Sequence, residues 1–283
     1  MTNATPGTLY VVATPIGNLG DLSPRAARTL AEVALIACED TRHTAQLMTH
    51  FGIHTPLFSL HDFNEQEAMT ALLSQLASGR SIALVSDAGT PLVSDPGFRL
   101  VRATHERGIP VCSVPGPSAV IAALSVAGMP TDRFSFEGFP PARRAARRAW
   151  LESLITEART MIFFEAPHRV ETCVADMVTV FGPARAAAIA RELTKRFETV
   201  YNAPLGEIAQ WLHDHPQQRQ GEFVLLIKGA DEEATAADRE REARRVLKLL
   251  LQNLPVARAV ALACDITGQN RNFLYRCALE QAD

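Results

Sequence analysis

The feature that most constrains the fold is a regular alternation. Short unbroken apolar runs are each followed by a stretch with helical spacing. Residues 8–13 (TLYVVA), 33–38 (VALIAC), 81–86 (SIALVS) and 110–114 read as strands with no polar alternate, so neither face of them is fit for water. Between them lie helix signals. Ser23 precedes Pro24 as an N-cap and N1 pair, residues 41–50 run to Gly52, Asn64 and Glu67 form an N-cap and N3 pair opening a helix to Ser78-Gly79, and another helix surrounds Phe98–Arg107. This β-α-β order predicts a mostly parallel sheet covered on both faces. A helix at 118–127 leads into a second alternating block, with strands near 133–138, 160–165, 185–190 and 222–228 and helices near 142–156, 168–180 and 205–214. The acidic, Ala-rich stretch 231–238 reads as a linker, and helices at 239–252, 256–267 and 270–281 follow, the last two separated by Gly268 as in a helix-turn-helix. The expected fold class is thus α/β: an N-terminal α/β domain (1–117), a second α/β domain (118–230), and a linker with a small helical module (231–283).

Composition narrows the possible functions. With 47% hydrophobic and 21% charged residues the chain has enough apolar surface for a core, which excludes disorder over most of its length. Its net charge of −3 is wrong for a bulk polyanion binder, so any contact with nucleic acid must be local. From Arg239 to Asp283 the tail carries 8 basic and 5 acidic residues, opposite in sign to the whole. Five scattered cysteines (Cys38, Cys112, Cys173, Cys264 and Cys277) lack C-x-x-C pairing and sit in apolar runs, which suits buried reduced thiols in a cytoplasmic protein. No apolar run approaches the ~20 residues of a membrane span. His213 and His215 have no third ligand nearby, so no metal is expected.

In open α/β sheets ligands bind at the carboxyl ends of strands. Three such loops are rich in Gly and Pro: Thr14 to Asp21, Ser86 to Gly97, and Val114 to Ala119. Ordinary turn chemistry would explain one of them; three on successive strands point to a site. They contain no Lys or Arg, satisfy neither the P-loop nor the dinucleotide pattern, and carry Asp21, Asp87 and Asp95. That charge repels a triphosphate and suits a cationic small molecule with a flat or apolar body, such as S-adenosylmethionine. Asp40 reads as a helix N-cap, and Arg42 and His43 beside it are placed to meet a phosphate or a ribose. In the second block Glu165, His168 and Arg169 follow one strand, and Arg191, Lys195 and Arg196 follow another. Arg143, Arg144, Arg147 and Arg148 cluster at helical spacing without interleaved acids, which favours an anionic partner such as a phosphate backbone.

Taken together, the segments LYVVATPIGNL (9–19), EDTRHT (39–44), SDAGTP (86–91), PGPSA (115–119), FEGF (136–139) and RELTK (191–195) closely resemble the ribosomal RNA small subunit methyltransferase I family of the tetrapyrrole methylase superfamily. The resemblance runs from residue 8 to 281. It implies two α/β domains of the class III methyltransferase type, with S-adenosylmethionine in the cleft between them. It further implies a homodimer that methylates a cytidine ribose 2′-hydroxyl, cytidine 1402 of 16S rRNA in the small ribosomal subunit. Pro15, Asp87, Ala88, Gly89, Pro91, Pro115, Gly116, Ser118 and Ala119 would then surround the cofactor. Lys195, His168 and Glu165 would be candidates for activating the acceptor hydroxyl, Lys195 either as a base of lowered pKa or as a cation. Arg42, His43, Arg143, Arg144, Arg147, Arg148, Arg169 and Arg191 would face RNA. Two other readings use the same fold: a methylase acting on a porphyrin-like acid, and a non-catalytic protein that binds the ribosome.

Overall fold

Strand β1 (Leu9–Val12) lies inside the first sheet with a strand on either side, as suits a fully apolar run. The structure is a computed structural model and describes residues 6–61 and 65–280. From β1 the chain runs through α1 (Pro24–Glu32), β2 (Leu35–Cys38), α2 (Thr41–His50), β3 (Leu57–Ser59), α3 (Glu65–Ala77), β4 (Ile82–Leu84), α4 (Phe98–Glu106) and β5 (Val111–Val114). The sheet order is β3-β2-β4-β1-β5 with every pairing parallel. Ser23 caps α1 as its sequence predicts, accepting from the Ala26 N–H at 3.0 Å, and Asp40 caps α2 through the Arg42 N–H at 2.8 Å. The expected Asn64–Glu67 pair lies outside the described residues. Leu9, Leu72, Leu76, Ile82 and Leu100 close one face of the sheet; Val12, Leu30, Ile36 and Val85 close the other. Each such side chain contributes about 1.5–3 kcal/mol by leaving water.

Next come α5 (Ala119–Val126), β6 (Phe134–Gly138), α6 (Arg144–Glu152), β7 (Thr160–Glu165), α7 (Val170–Phe181), β8 (Ala186–Arg191), β9 (Thr199–Pro204), α8 (Leu205–Asp214) and β10 (Phe223–Ile227). The second sheet, β6-β7-β10-β8-β9, is mixed. Only β6 and β7 run parallel; β10 is antiparallel to both β7 and β8. One face packs on α7 and α8, with Phe163, Met177, Ile189 and Leu225 at its centre. The other face meets α5 and Ile16 of the first loop, so the two sheets share a core: Ile16, Val120, Leu124, Ile162, Ala190 and Val224.

Two strands escaped the sequence pattern. Both β3 and β9 are edge strands without a continuous apolar run, and β9 has the mixed composition TVYNAP. The expected linker 231–238 is instead continuous with α9 (Glu232–Leu251). Glu and Ala are strong helix formers, and the stretch holds no Gly or Pro to stop them. Helices α10 (Val256–Thr267) and α11 (Arg271–Glu280) pack on α9 around Leu247, Val260, Ala263 and Leu274, and Gly268 takes the left-handed conformation that ends α10. All five cysteines are free thiols; Cys38, Cys173 and Cys277 are buried as expected, whereas Cys112 and Cys264 are only half-buried. Among the described residues no helix is long and apolar enough to cross a membrane.

Candidate active site

The three Gly- and Pro-rich loops leave the carboxyl ends of β4, β1 and β5, which are neighbours in the first sheet. They are tied together. The Thr14 and Gly89 backbones exchange hydrogen bonds at 2.9 and 3.1 Å, and the Thr90 hydroxyl donates to the Pro117 carbonyl at 2.9 Å. Gly89 has φ +81°, a left-handed conformation that side chains resist. Leu92 and Ser94, in the same loop, are also left-handed, at φ 75° and 67°. The remaining non-glycine residues with positive φ, among those described, are Glu192 and Thr194 after β8. Among the described residues, left-handed non-glycine backbone is thus confined to two loops, one after β4 and one after β8.

Between these loops and the second sheet lies a cavity of about 410 Å³. From the first side Ile16, Ala88, Gly89, Thr90, Val93, Ser94, Asp95, Ser118 and Ala119 border it; from the second, Phe139, Phe164, Glu165, Ala166, Pro167, Glu222, Phe223 and Val224. Of the nine residues expected around a cofactor, the structure brings Ala88, Gly89, Ser118 and Ala119 to the wall. Pro15, Asp87, Pro91, Pro115 and Gly116 do not border the cavity. Asp87 turns its carboxylate to the Asp40 N–H at 3.2 Å, and Gly116 packs so closely that an added Cβ would lie 3.1 Å from the Ala13 Cβ. They shape the loops that form the wall.

The wall bears the carboxylates Asp95, Glu165 and Glu222, and neither Lys nor Arg. Burial holds Asp95 above the usual carboxylate range; the charge of Asp87 adds to this, against a hydrogen bond with Ser86. The buried Glu165 accepts from the Ala166 N–H at 2.8 Å and pairs with the Arg169 guanidinium at 3.1 Å. That pairing, together with a bond to the Pro140 carbonyl, holds Arg169 inside the protein rather than toward RNA. His168 is exposed, one residue beyond the cavity wall.

Glu222 escaped the sequence reading for a topological reason. Because β10 is antiparallel, its start lies beside the ends of β7 and β8: Phe223 pairs with both Glu165 and Arg191. At the amino end of its strand, it falls outside the rule that ligands bind at carboxyl ends. Glu222 Oε2 is 3.0 Å from Lys195 Nζ, and Glu192 Oε1 is 3.0 Å from the same atom. Glu192 Oε1 also accepts from the Glu222 N–H at 2.9 Å, packed so tightly on Gly221 (φ +95°) that a Cβ there would come within 2.4 Å of it. Burial alone would lower the Lys195 ammonium. Hydrogen bonds to Glu222 and Glu192 outweigh it and hold the pKa above its ordinary value. The expectation of a lowered-pKa lysine base is therefore corrected: two carboxylates, not the neighbouring arginines, set its charge.

The arginine cluster is also corrected. Arg144, Arg147 and Arg148 converge on Asp176 of α7, at 3.1, 2.6 and 2.7 Å. The acid missing from the local sequence comes from 28 to 32 residues away. Arg147 is 3% exposed and cannot reach an external phosphate. Arg143 and Arg144 remain exposed, and Arg148 is partly so. Arg191 donates to the Gln220 carbonyl at 2.5 Å and to the Phe197 carbonyl at 3.3 Å, clamping loops rather than projecting outward. Arg42 folds onto Asp40 at 3.1 Å, and hydrogen bonding to it brings that carboxyl down to about 2; His43 is exposed beside it on α2, away from the cavity wall.

Known proteins agree with this architecture. Residues 8–209 match the family of Tetrapyrrole (Corrin/Porphyrin) Methylases, and residues 237–282 match the RsmI C-terminal HTH domain. The chain is 54% identical over 275 residues to ribosomal RNA small subunit methyltransferase I of Pseudomonas aeruginosa (97% of this chain, 98% of the relative). It is 51% identical over 277 residues to the protein of the same name in Escherichia coli O157:H7 (97% and 96%). Among solved structures, a uroporphyrin-III-C-methyltransferase from Thermus thermophilus superposes with a TM-score of 0.55 at 20% identity, covering 81% of this chain and 96% of that one. A diphthine synthase superposes with a TM-score of 0.58 at 13% identity, covering 78% and 89%. These likenesses establish the class III methyltransferase fold, and with the near full-length relatives they show that the chain belongs to the ribosomal RNA small subunit methyltransferase I family.

Proposed function

We propose that this protein uses S-adenosylmethionine to methylate the ribose 2′-hydroxyl of a cytidine in 16S rRNA of the small subunit, cytidine 1402 by family resemblance, acting as a cytoplasmic homodimer. The observation that carries the cofactor assignment is the cavity wall: three carboxylates, apolar surfaces from Ile16, Phe139, Phe164 and Val224, and no basic side chain. Its volume of about 410 Å³ is that of a small-molecule site; Glu165 and Glu222 are paired with Arg169 and Lys195, so the apolar surfaces and the absence of a basic lining side chain, rather than a net negative charge, favour S-adenosylmethionine over a triphosphate. The printed names of the relatives support an rRNA substrate.

When bound, S-adenosylmethionine supplies an electrophilic methyl group on a sulfonium. Ala88, Gly89, Thr90, Ser118 and Ala119 would hold it from the first side, and Phe139 and Phe164 from the second. Alignment of acceptor and donor by such walls can contribute on the order of 7–11 kcal/mol. Transfer forms the ribose O–CH3 bond, breaks the S–CH3 bond, and releases the hydroxyl proton. Lys195 remains an ammonium and so serves as a cation that stabilises negative charge developing on the ribose oxygen. His168, exposed beside Pro167 of the wall, takes the proton; a positioned base is worth roughly 10²–10⁴-fold. Glu165, neutralised by Arg169, positions the 165–167 turn.

Calorimetry with S-adenosylmethionine and ATP, followed by labelled-methyl transfer to small subunits or to a porphyrin-like acid, tests the proposal. Cofactor binding without ATP binding, and label in ribose, are expected. Label in the tetrapyrrole alone would establish the other enzyme reading; binding of subunits without any transfer would establish the non-catalytic one.

A further inference from the structure

The loop after β8 turns three consecutive side chains to different tasks. Lys195 pairs with Glu222 at the exposed rim of the cavity wall. Arg196 and Phe197 point outward; Phe197 is 64% exposed, and the Arg196 guanidinium lies 5.6 Å from its ring centroid. The loop is fixed in place. The Lys195 N–H donates to the Glu192 carbonyl at 3.0 Å and the Glu198 N–H to the Lys195 carbonyl at 3.1 Å. The Phe197 carbonyl accepts from Arg191 at 3.3 Å and from the Thr199 hydroxyl at 3.2 Å. Two left-handed non-glycine residues, Glu192 and Thr194, shape it. The neighbouring Glu198 turns its carboxylate to the Thr194 N–H at 2.5 Å, and among the described residues Arg196 has no carboxylate partner, unlike Arg144, Arg147 and Arg148.

An exposed ring, an uncompensated guanidinium and a rigid mount make a surface for a flat, polyanion-borne group. We propose that Arg196 and Phe197 form a stacking platform for an unpaired nucleobase of the RNA substrate next to the acceptor ribose. Phe197 is two residues from Lys195, so the Cα atoms are at most about 7 Å apart, and a base stacked there brings its own or the adjoining sugar to the cavity mouth. Methylation of a ribose in a folded subunit requires the nucleotide to be drawn out and held, and aromatic faces hold single-stranded bases irrespective of pairing. The inference rests on the RNA-methylating reading above.

The test compares the full-length wild type with F197L, F197W and R196A, using purified small subunits as acceptor. F197L keeps the apolar bulk and loses the aromatic face; F197W keeps the face. Loss of one stacked base should raise the KM for subunits by about 5- to 100-fold in F197L, more than it lowers kcat, while F197W returns to within about threefold of wild type. R196A should raise KM and reduce its salt dependence. Affinity for S-adenosylmethionine, measured by calorimetry, should stay unchanged in all three. If F197L matches wild type in KM, the platform does not exist; if F197W fails as F197L does, the contact is not stacking. If wild type binds cofactor but methylates no small-subunit RNA, the functional reading itself fails and takes the platform with it.

Discussion

Replacing Asp176 with Asn removes one charge on which three arginines depend. Its carboxylate is 1% exposed and accepts from Arg147 at 2.6 and 3.0 Å, from Arg148 at 2.7 Å and from Arg144 at 3.1 Å. The costs of losing these partners differ. Arg144 is 69% exposed and Arg148 35%, so water can replace the acid for both, and each loss is worth about 0–1 kcal/mol. The Arg147 side chain is 4% exposed and would keep only long contacts to the Pro141 and Ala142 carbonyls, at 3.4 and 3.3 Å. A buried charge stripped of its partner costs about 3–5 kcal/mol. Against a typical total of ~5–15 kcal/mol that is a large share, and it should lower Tm by about 6–20 °C. The double variant D176L/R147M, which removes both partners, should recover most of the loss. The pH dependence has a definite sign. Burial would raise Asp176, but hydrogen bonds from Arg148, Arg144 and Arg147 hold it below the usual carboxylate range. Its contribution is complete above the unfolded value of about 3.9 and is lost as pH falls through the lower folded value. The gap between wild type and D176N in urea unfolding should therefore be the same at pH 7 and pH 5 and shrink only below about 4. A D176N loss under about 1 kcal/mol at pH 7, or a gap already closing at pH 5, would refute the argument.

Other sites make further predictions. G89V should abolish binding of S-adenosylmethionine, because valine resists φ +81° and its branches fill the cavity beside Ile16 Cγ2, already 3.2 Å from an added Cβ; calorimetry on folded protein checks this. K195A should lower kcat in single-turnover assays while leaving cofactor affinity nearly intact, the mark of an interaction made in the transition state. Since the Lys195 pKa is raised, wild-type kcat should show no ionisation of this group between about pH 6 and 9. Replacing Arg143, Arg144 and Arg148 with Ala should reduce the slope of log K against log salt for subunit binding by roughly 0.7–0.9 for each phosphate no longer neutralised, and an unchanged slope would make them a solvated face.

What the residues disclosed in advance follows local physics. Continuous apolar runs, the Ser23 and Asp40 caps and three glycine-bearing strand ends are each written in a few neighbouring positions, and they place the first sheet and the Ala88, Gly89, Ser118 and Ala119 wall. All but one of the failures are tertiary. Arg147 looks like a surface charge until α7 brings Asp176 beneath it. Lys195 looks like a base until the antiparallel β10 delivers Glu222. The edge strands β3 and β9 are held by one neighbour each and need no apolar signature. The helical 232–238 stretch is the exception: its signal is local, in the helix propensity of Glu and Ala, and it prevails over the acidic, linker-like composition.

The central claim, methyl transfer from a cationic cofactor to a ribose of small-subunit RNA, is tested most directly by incubating the purified protein with S-adenosylmethionine and unmodified small subunits and mapping 2′-O-methyl groups along the 16S rRNA. The account predicts a new ribose methyl at a single cytidine, absent when G89V replaces wild type. RNA that stays unmethylated while the protein binds both cofactor and subunit, or methyl groups found on bases rather than ribose, would contradict it.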